Sequence, residues 1–134
     1  MPSKILLVDD EPKECFKSVL ETVGLSPILL ADNGEEALEV IERERPNLLV
    51  LNLLMPKMGG EEVLKVLKAK GLLDSIGVII WTGFDDGLTR ERILSNYSID
   101  YYLDKPIDMS NFVDKVKLVL SKRQKPPQDI NQRN

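Results

Sequence analysis

The segment Lys4-Ile5-Leu6-Leu7-Val8-Asp9-Asp10 is the most informative part of the sequence about the fold, because a short continuous apolar run ends directly at two adjacent acidic residues. An apolar run of this length without alternation is typical of a strand that is buried on both faces. Residues 12–23 begin with a proline and repeat apolar residues at helical spacing, which predicts a helix with Asp10 or Glu11 as its N-cap. Gly24 is expected to end this helix. The stretch therefore predicts one strand–helix unit of an α/β fold.

The same alternation of an apolar run and an amphipathic stretch recurs about five times along the chain. The strands are predicted at residues 4–8, 27–31, 47–53, 77–81 and 99–103. The helices are predicted at residues 12–23, 34–44, 60–70, 85–96 and 109–122. Strands that alternate with helices are joined by right-handed crossovers, which give a doubly wound parallel sheet with helices on both faces. The fifth strand is the most polar, which suits an edge of the sheet.

The composition excludes several classes of protein. The 134 residues are 43% hydrophobic and 30% charged, which is close to the globular average and corresponds to one domain rather than to disorder. No apolar run reaches the ~18 residues that span a bilayer. One cysteine, Cys15, and no histidine exclude an internal disulfide and a self-phosphorylating imidazole, and argue against a Cys/His zinc site. We therefore expect a cytoplasmic protein, since the cytoplasm is the simplest reducing compartment.

Charge is unevenly distributed. The net charge is −4, yet residues 122–134 carry more basic than acidic side chains, so the preceding residues are more acidic than the whole. Nucleic-acid binding requires a basic face, so we do not expect nucleic acid as a partner. We do not expect a membrane either, because no apolar run is long enough to span one. We expect one folded domain over residues 1–122 and a flexible tail or truncated linker over residues 123–134.

Polar residues follow the predicted strands at the point where each strand ends. In a parallel sheet these ends meet at one rim, where ligands bind. The residues are Asp9, Asp10, Asn52, Thr82 and Lys105. Together they would bring two carboxylates, a carboxamide, a hydroxyl and an ammonium group into one pocket.

Each of these residues also has an ordinary structural explanation. Adjacent acids before a helix are often caps or favourable partners of the helix dipole. Thr82-Gly83 reads equally well as a turn, and Lys105-Pro106 as a loop. Asn52 is harder to explain in this way, because a polar side chain at the end of a central buried strand needs partners.

The sequence resembles the receiver domain of two-component response regulators, and the resemblance covers residues 3–122. The matching segments are Leu6-Leu7-Val8-Asp9-Asp10-Glu11, Ala31-Asp32-Asn33-Gly34-Glu35-Glu36-Ala37-Leu38, Leu53-Leu54-Met55-Pro56-Lys57-Met58-Gly59-Gly60, Thr82-Gly83 and Tyr101-Tyr102-Leu103-Asp104-Lys105-Pro106. The resemblance implies a flavodoxin-like (βα)5 sheet with strand order 2-1-3-4-5. It also implies a signalling switch rather than an enzyme, and the absence of a Gly-rich phosphate loop after the first strand agrees with that.

The resemblance implies a Mg²⁺ site at the rim. Asp9 and Asp10 match the acidic pair that holds the metal, the backbone carbonyl of Leu54 matches a further ligand, and Asn52 occupies another ligand position. Mg²⁺ is a hard cation that prefers oxygen ligands. Because Asn52 is neutral, we expect the affinity for Mg²⁺ to be weakened.

Four further positions match the parts of the family that sense the phosphoryl group. Thr82 matches the hydroxyl that binds a phosphoryl oxygen, and Lys105 matches the ammonium that pairs with it. Tyr102 matches the aromatic residue that turns inward when Thr82 shifts. Pro106 matches the family's cis-proline.

One position departs from the family: Asn52 stands where the phosphoacceptor aspartate is expected. A carboxylate oxygen is anionic and forms an acyl phosphate, whereas an amide oxygen is neutral and an amide nitrogen is a poor nucleophile. The chain should therefore not accept phosphate at residue 52. Two explanations stay open: an engineered or very recent loss in an ordinary receiver, or a natural phosphorylation-independent pseudo-receiver that acts as a protein-binding module.

The resemblance also implies the partners. A histidine kinase or a histidine phosphotransfer protein would be the phosphoryl donor. A downstream protein or a second copy of the chain would bind through helix 4, strand 5 and helix 5, where Tyr101, Asp104 and Lys117 are candidate contacts. Away from this surface, Trp81 is expected in the core or at the rim, and Cys15 as a buried or half-buried residue of the first helix.

Overall fold

Five parallel strands form one sheet in a computed structural model that describes residues 3–25, 27–83 and 86–123. The strands are β1 (Ile5–Val8), β2 (Ile28–Ala31), β3 (Leu48–Leu51), β4 (Gly77–Thr82) and β5 (Tyr101–Asp104). Their order is β2-β1-β3-β4-β5, and each neighbouring pair is parallel. This order confirms the predicted flavodoxin-like sheet and puts the more polar β5 at an edge.

The helices alternate with the strands as predicted. They are α1 (Glu14–Thr22), α2 (Gly34–Glu44), α3 (Gly60–Ala69), α4 (Gly87–Asn96) and α5 (Met109–Arg123), with a short 3-10 turn at Leu73–Ser75. The bounds of α2 are those predicted, and the other elements differ by a few residues at their ends. The tail predicted at residues 123–134 lies outside the described residues, apart from the last residue of α5.

The predicted cap of α1 is wrong, because the helix begins at Glu14 and Lys13 occupies the N-cap. The backbone N–H of Glu11 donates instead to Asp9 Oδ1 at 3.0 Å, which keeps residues 10–12 in a loop. Gly24 ends the helix as expected, since its φ of 89° is the left-handed conformation that glycine adopts without strain.

Two apolar layers cover the two faces of the sheet because successive side chains of a strand point to opposite faces. One layer joins the sheet to α2 and α3 and to Ile93 of α4. Its buried strand residues are Leu6, Val8, Ala31, Leu49, Leu51, Val78 and Ile80. The other layer joins the sheet to α1 and α5. Its buried strand residues are Ile5, Leu7, Ile28, Leu48, Val50, Ile79 and Trp81.

Trp81 lies in the core of the second layer, as predicted, and is 1% exposed. Its ring stacks on Phe112 with centroids 5.3 Å apart and meets the edge of Phe16 at 4.9 Å. Its Nε1–H donates to the carbonyl of Val8 at 3.1 Å. Trp81 therefore ties β4 to the end of β1 as well as to α5.

Two predictions about α1 are wrong. Cys15 is exposed rather than buried, because the face of α1 that packs into the core carries Phe16 and Leu20, and Cys15 lies to one side of it. The spacing of apolar residues also predicts Val23 on that inward face, but Val23 is 40% exposed, because the helix has ended at Thr22 and Val23 is the C-cap residue.

Arg92 of α4 binds Glu61 of α3 through two hydrogen bonds, of 2.7 and 3.1 Å. The hydrogen bond from Arg92 holds the pKa of Glu61 below its usual value, although partial burial opposes this shift. A lowered carboxylate pKa contributes stability above the pKa of the unfolded state, and this contribution is lost as the pH falls through the folded-state value. The pair therefore stabilises the contact of α3 with α4 at neutral pH but not in acid.

Replacing Arg92 by glutamine is expected to lower the free energy of unfolding slightly at neutral pH, because the ion pair lies at the surface. The difference should vanish in acid, once the pH is below the lowered folded-state pKa of Glu61 and this carboxyl is protonated in both states. Urea denaturation at the two pH values checks this. Lys70→Gln is the matched control, because Lys70 and Glu42 are largely exposed and 3.5 Å apart, so little change is expected. An equal loss in Arg92→Gln at both pH values would contradict the prediction.

None of the helices within the described ranges is both long and apolar enough to cross a membrane.

Candidate functional site

The carboxyl ends of the strands bring the predicted polar residues together. Asp9 follows β1, Asn52 follows β3, Thr82 ends β4 and Lys105 follows β5. They line one cleft of about 730 Å³. The other residues of its wall are Asp10, Glu11, Pro12, Phe16, Leu54, Trp81, Gly83, Pro106 and Ile107. The convergence expected from the sequence is therefore present in the structure.

Asp9 is the buried acid of the cleft, at 3% exposure. Its Oδ1 accepts from the backbone N–H of Glu11 at 3.0 Å and from Asn52 Nδ2 at 3.2 Å. Its Oδ2 accepts from Lys105 Nζ at 2.6 Å. A buried carboxylate is costly unless its charge is paired and its lone pairs are used, and these three donors meet that need.

Asn52 is 5% exposed and lies one residue beyond β3, between the two central strand ends. Its Nδ2 donates to Asp9 Oδ1 and, at 2.9 Å, to the backbone carbonyl of Leu54. Its own backbone N–H donates to the carbonyl of Val8 at 3.1 Å. The carboxamide is thus fixed from both sides, as a buried polar group at this position requires.

Gly60 allows the start of α3 to approach the loop that follows Asn52 closely. The N–H of Gly60, the first residue of α3, donates to the carbonyl of Leu53 at 2.9 Å. A Cβ on Gly60 would collide with the carbonyl oxygen of Asn52 and lie 3.0 Å from Leu53 Cα. The close approach of α3 therefore fixes the position from which the Asn52 side chain enters the cleft.

Lys105 bridges two acids across the cleft, because its Nζ is 2.6 Å from Asp9 Oδ2 and 2.7 Å from Glu11 Oε1. Burial alone would lower the pKa of Lys105, but the hydrogen bonds and charges of the two acids outweigh it and raise this pKa above its usual value. The hydrogen bond and charge of Lys105 in turn lower the pKa of Glu11. Lys105 and Glu11 are therefore both charged at neutral pH.

Asp10 and Leu54 lie at the mouth of the cleft. Asp10 is exposed, and its carboxylate makes no hydrogen bond or ion pair with another described residue. The Leu54 side chain is 57% exposed, while its carbonyl points inward to Asn52 Nδ2. Of the two adjacent acids, only Asp9 is thus built into the hydrogen-bond network.

Of the remaining predicted residues, Thr82 and Pro106 line the β4–β5 side of the cleft, whereas Tyr102 is not part of its wall. Thr82 is 1% exposed, and its carbonyl accepts from the backbone N–H of Lys105 at 2.9 Å. The peptide bond between Lys105 and Pro106 is cis, as the resemblance implies. Tyr102 is half-buried against the α2–α3 core layer, and the Arg90 guanidinium lies over its ring at 4.7 Å from the centroid.

Two ion pairs are not predicted by the sequence pattern: Lys105–Glu11, which belongs to the cleft, and Lys13–Asp32, which lies outside its wall. Glu11 was expected as a helix cap, yet it forms the outer half of the Lys105 bridge. Lys13 was not singled out, yet its side chain is only 4% exposed and its Nζ is 2.6 Å from Asp32 Oδ1. A signal for Glu11 was present, since a third acid directly follows the pair Asp9-Asp10. No comparable signal marks Lys13.

The donor set does not fit Mg²⁺ in this arrangement. Two oxygens that should face the metal, Asp9 Oδ1 and the Leu54 carbonyl, both accept hydrogen bonds from Asn52 Nδ2, which is a donor and not a metal ligand. Within residues 3–25, 27–83 and 86–123, no group of three or more acidic or cysteine side chains is placed to hold a metal ion. Of the expected ligands, Asp9, Asn52 and the Leu54 carbonyl are already engaged with each other, while Asp10 stays exposed at the mouth of the cleft.

Comparison with known proteins points to one family. The family model described as response regulator receiver domain matches residues 5–117. Response regulator MprA of Mycobacterium leprae (strain TN) is 34% identical over 126 residues, which cover 92% of this chain and 53% of that protein. Polar-differentiation response regulator DivK of Brucella anthropi is 32% identical over 122 residues, which cover 90% of this chain and 98% of that protein. The chain thus spans about half the length of MprA and nearly all of DivK.

Solved structures agree with this fold. A response regulator receiver domain protein (CheY-like) from Methanospirillum hungatei JF-1 has a TM-score of 0.83 at 28% identity, covering 92% of this chain and 98% of that one. The receiver domain of the Francisella response regulator 1452 has a TM-score of 0.81 at 27% identity, covering 91% of this chain and 99% of that one. Both structures share the architecture described above.

Proposed function

Because the chain belongs to the response regulator receiver domain family, we propose that its cleft is a phosphoryl-accepting pocket in which Asn52 blocks the acceptor step. Receiver domains are signalling modules and not known enzymes. The position of Asn52 supports the assignment, since its side chain enters the cleft between Asp9 and the loop of Leu54. This chain therefore keeps the pocket of a phosphorylated switch while lacking its acceptor oxygen.

The residues around Asn52 suit a phosphoryl group. Lys105 supplies a fixed positive charge at the strand end beside Thr82, whose backbone it also contacts. A phosphoryl group bound at residue 52 would be paired by this ammonium and would accept a hydrogen bond from the Thr82 hydroxyl. Lys105 and Thr82 are therefore the residues that we propose to recognise the charge of the phosphoryl group.

Asn52 itself cannot complete the transfer. In-line attack on a phosphohistidine needs an anionic oxygen that displaces the imidazole nitrogen and keeps the phosphoryl group as an acyl phosphate. The carboxamide nitrogen has its lone pair delocalised into the carbonyl and directs both hydrogens at Asp9 and Leu54. In this chain the donor phosphohistidine would find no nucleophile at residue 52.

The proposed partners follow from the family. A histidine kinase or a histidine phosphotransfer protein would dock at the cleft, and a downstream protein or a second copy of the chain would bind α4, β5 and α5. Tyr101, Asp104 and Lys117 remain candidate contacts of that output surface. Asp104 already pairs with Arg90 at 3.3 Å, and Lys117 is exposed. We place the signalling in the cytoplasm, since the exposed free thiol of Cys15 suits a reducing compartment.

Replacing Asn52 by aspartate is expected to restore phosphorylation. Acetyl phosphate with Mg²⁺ should add the mass of one phosphoryl group to Asn52→Asp and none to the unaltered chain, because only the variant has an anionic oxygen at the end of β3. Intact-mass spectrometry measures this directly. Asn111→Asp is the matched control, since it makes the same chemical change at an exposed position of α5.

The outcome separates the two explanations of Asn52. A phosphoryl group gained only by Asn52→Asp supports a receiver whose switch is blocked at one residue. No gain in either protein would contradict the proposal and favour a phosphorylation-independent binding module. A gain in Asn111→Asp would show that acetyl phosphate modifies the chain elsewhere.

A further inference from the structure

We propose that the carboxamide nitrogen of Asn52 takes the place of the divalent cation, so that the cleft is complete without a metal. The inference rests on the proposed assignment of the cleft as a receiver pocket. It goes beyond a weakened affinity, because it assigns to Asn52 the bridging role that the cation has elsewhere in the family. The expected property is a domain whose stability does not respond to Mg²⁺.

The hydrogen bonds of Asn52 carry this inference. An NH₂ group has two hydrogens, and the two acceptors within reach are Asp9 Oδ1 at 3.2 Å and the Leu54 carbonyl at 2.9 Å. These oxygens come from the ends of β1 and β3 and are two of the expected metal ligands. The carboxamide thus joins by hydrogen bonds the two strand ends that a cation would join by coordination.

The orientation of the carboxamide is decided by these two acceptors. If the amide were reversed, its oxygen would face a carboxylate oxygen and a carbonyl oxygen with no hydrogen between them. Without a cation that arrangement is repulsive, so the observed orientation is the stable one. Coordination of a metal by Asn52 would require the reversed orientation, and binding therefore has to break both hydrogen bonds first.

The second oxygen of Asp9 is also occupied. Lys105 lies 2.6 Å from Asp9 Oδ2 and 2.7 Å from Glu11 Oε1, so one ammonium is shared by the two acids and balances half of their charge. Asp9 is 3% exposed and uses both oxygens. Of the expected side-chain ligands, only the exposed Asp10 is left without a partner among the described residues. Mg²⁺ sites in proteins usually combine one or two carboxylates with further oxygens such as those of a phosphate, so Asp10 alone, without Asp9, makes a weak site.

Thermal unfolding with and without Mg²⁺ tests the proposal. The full chain, Asn52→Asp and the control Asn111→Asp are melted in EDTA and in millimolar MgCl₂, with NaCl added to equal ionic strength because screening alone changes surface electrostatics. The melting temperatures of the unaltered chain and of Asn111→Asp should not change with Mg²⁺. That of Asn52→Asp should rise by about 4 °C, because a ligand that binds only the folded state stabilises it.

A second measurement observes the carboxamide itself. The side-chain NH₂ signals of Asn52 in a ¹⁵N-correlated NMR spectrum are identified by their absence from the Asn52→Asp spectrum. They should keep their positions when MgCl₂ is added, because the hydrogen bonds to Asp9 and Leu54 stay intact. Movement of these signals under Mg²⁺ would overturn the proposal.

The melting experiment also has a clear negative result. Equal responses of the unaltered chain and Asn52→Asp to Mg²⁺, whether large or absent, would overturn the metal-replacing role of Asn52. An Asn52→Asp protein that responds to Mg²⁺ yet takes no phosphoryl group from acetyl phosphate would instead overturn the proposed function. The two failures are therefore distinguishable.

Discussion

Replacing Trp81 by alanine is expected to lower the free energy of unfolding by about 3–5 kcal/mol. Most of this loss comes from the cavity left between Phe16 and Phe112, because close-packed neighbours relax only in part. The carbonyl of Val8 also loses the indole N–H that it accepts at 3.1 Å. A domain of this size has about 5–15 kcal/mol of stability in total, so the variant would be marginal.

Chemical denaturation followed by far-UV circular dichroism measures this loss, because Trp81 is the single tryptophan and the variant has no indole fluorescence. Trp81→Phe separates the two contributions, since it keeps a ring in the stack and removes the hydrogen bond. It should cost about 1–2 kcal/mol. Leu88→Ala is the surface control, because Leu88 is 75% exposed and should change stability little. A loss for Trp81→Ala no larger than that of Leu88→Ala would contradict the assignment of Trp81 to the core.

Replacing Gly60 by alanine is expected to destabilise the protein by about 2–3 kcal/mol. Alanine at an ordinary helix position would stabilise by up to about 1 kcal/mol relative to glycine, so this prediction reverses the usual sign. The reason is that the new Cβ meets backbone atoms of Asn52 and Leu53, which cannot turn aside as the end of a flexible side chain does. The start of α3 would have to move away from the end of β3.

Urea denaturation compares Gly60→Ala with Gly87→Ala, in which the Cβ at the start of α4 meets nothing within 4 Å. The control should be neutral or gain about 0.5 kcal/mol, because it removes conformational freedom from the unfolded chain. Gly60→Ala should also shift the side-chain NH₂ signals of Asn52, since the displaced loop carries the carbonyl of Leu54. Stability equal to that of Gly87→Ala would show that α3 is not held against β3 as described.

The fold could be predicted because its signal is local and repeated. Each buried strand is a short apolar run, each helix has one apolar face, and the two periodicities need no knowledge of distant residues. α2 was predicted with its observed bounds, since Asn33 caps it through Glu36 N–H and Gly34 follows directly. α1 was predicted two residues too early, because Glu11 and Asp9 make a loop contact that the sequence pattern does not reveal.

The members of the site could be predicted from the ends of the strands, but their pairing could not. From the sequence, Lys105 is predicted to pair with a phosphoryl group. In the structure it binds Asp9 and Glu11, which are 96 and 94 residues away from it in the sequence. Such a contact depends on the order of strands in the sheet and on the length of one side chain. The predicted burial of Cys15 was wrong for a related reason: a shift of one position along a helix moves a side chain from the buried face to the exposed one.

The α/β class, the alternating elements and the set of polar residues at one rim can be predicted from the sequence, because they follow from the periodicity of apolar residues and from the common direction of parallel strands. The hydrogen bonds that Asn52 makes at this rim became visible only in the folded molecule. From the sequence alone, Asn52 is interpreted as the loss of one negative charge in an acidic pocket. In three dimensions its two amide hydrogens meet two oxygens from different segments, and hydrogen bonds that join distant segments are created by the packing of the fold.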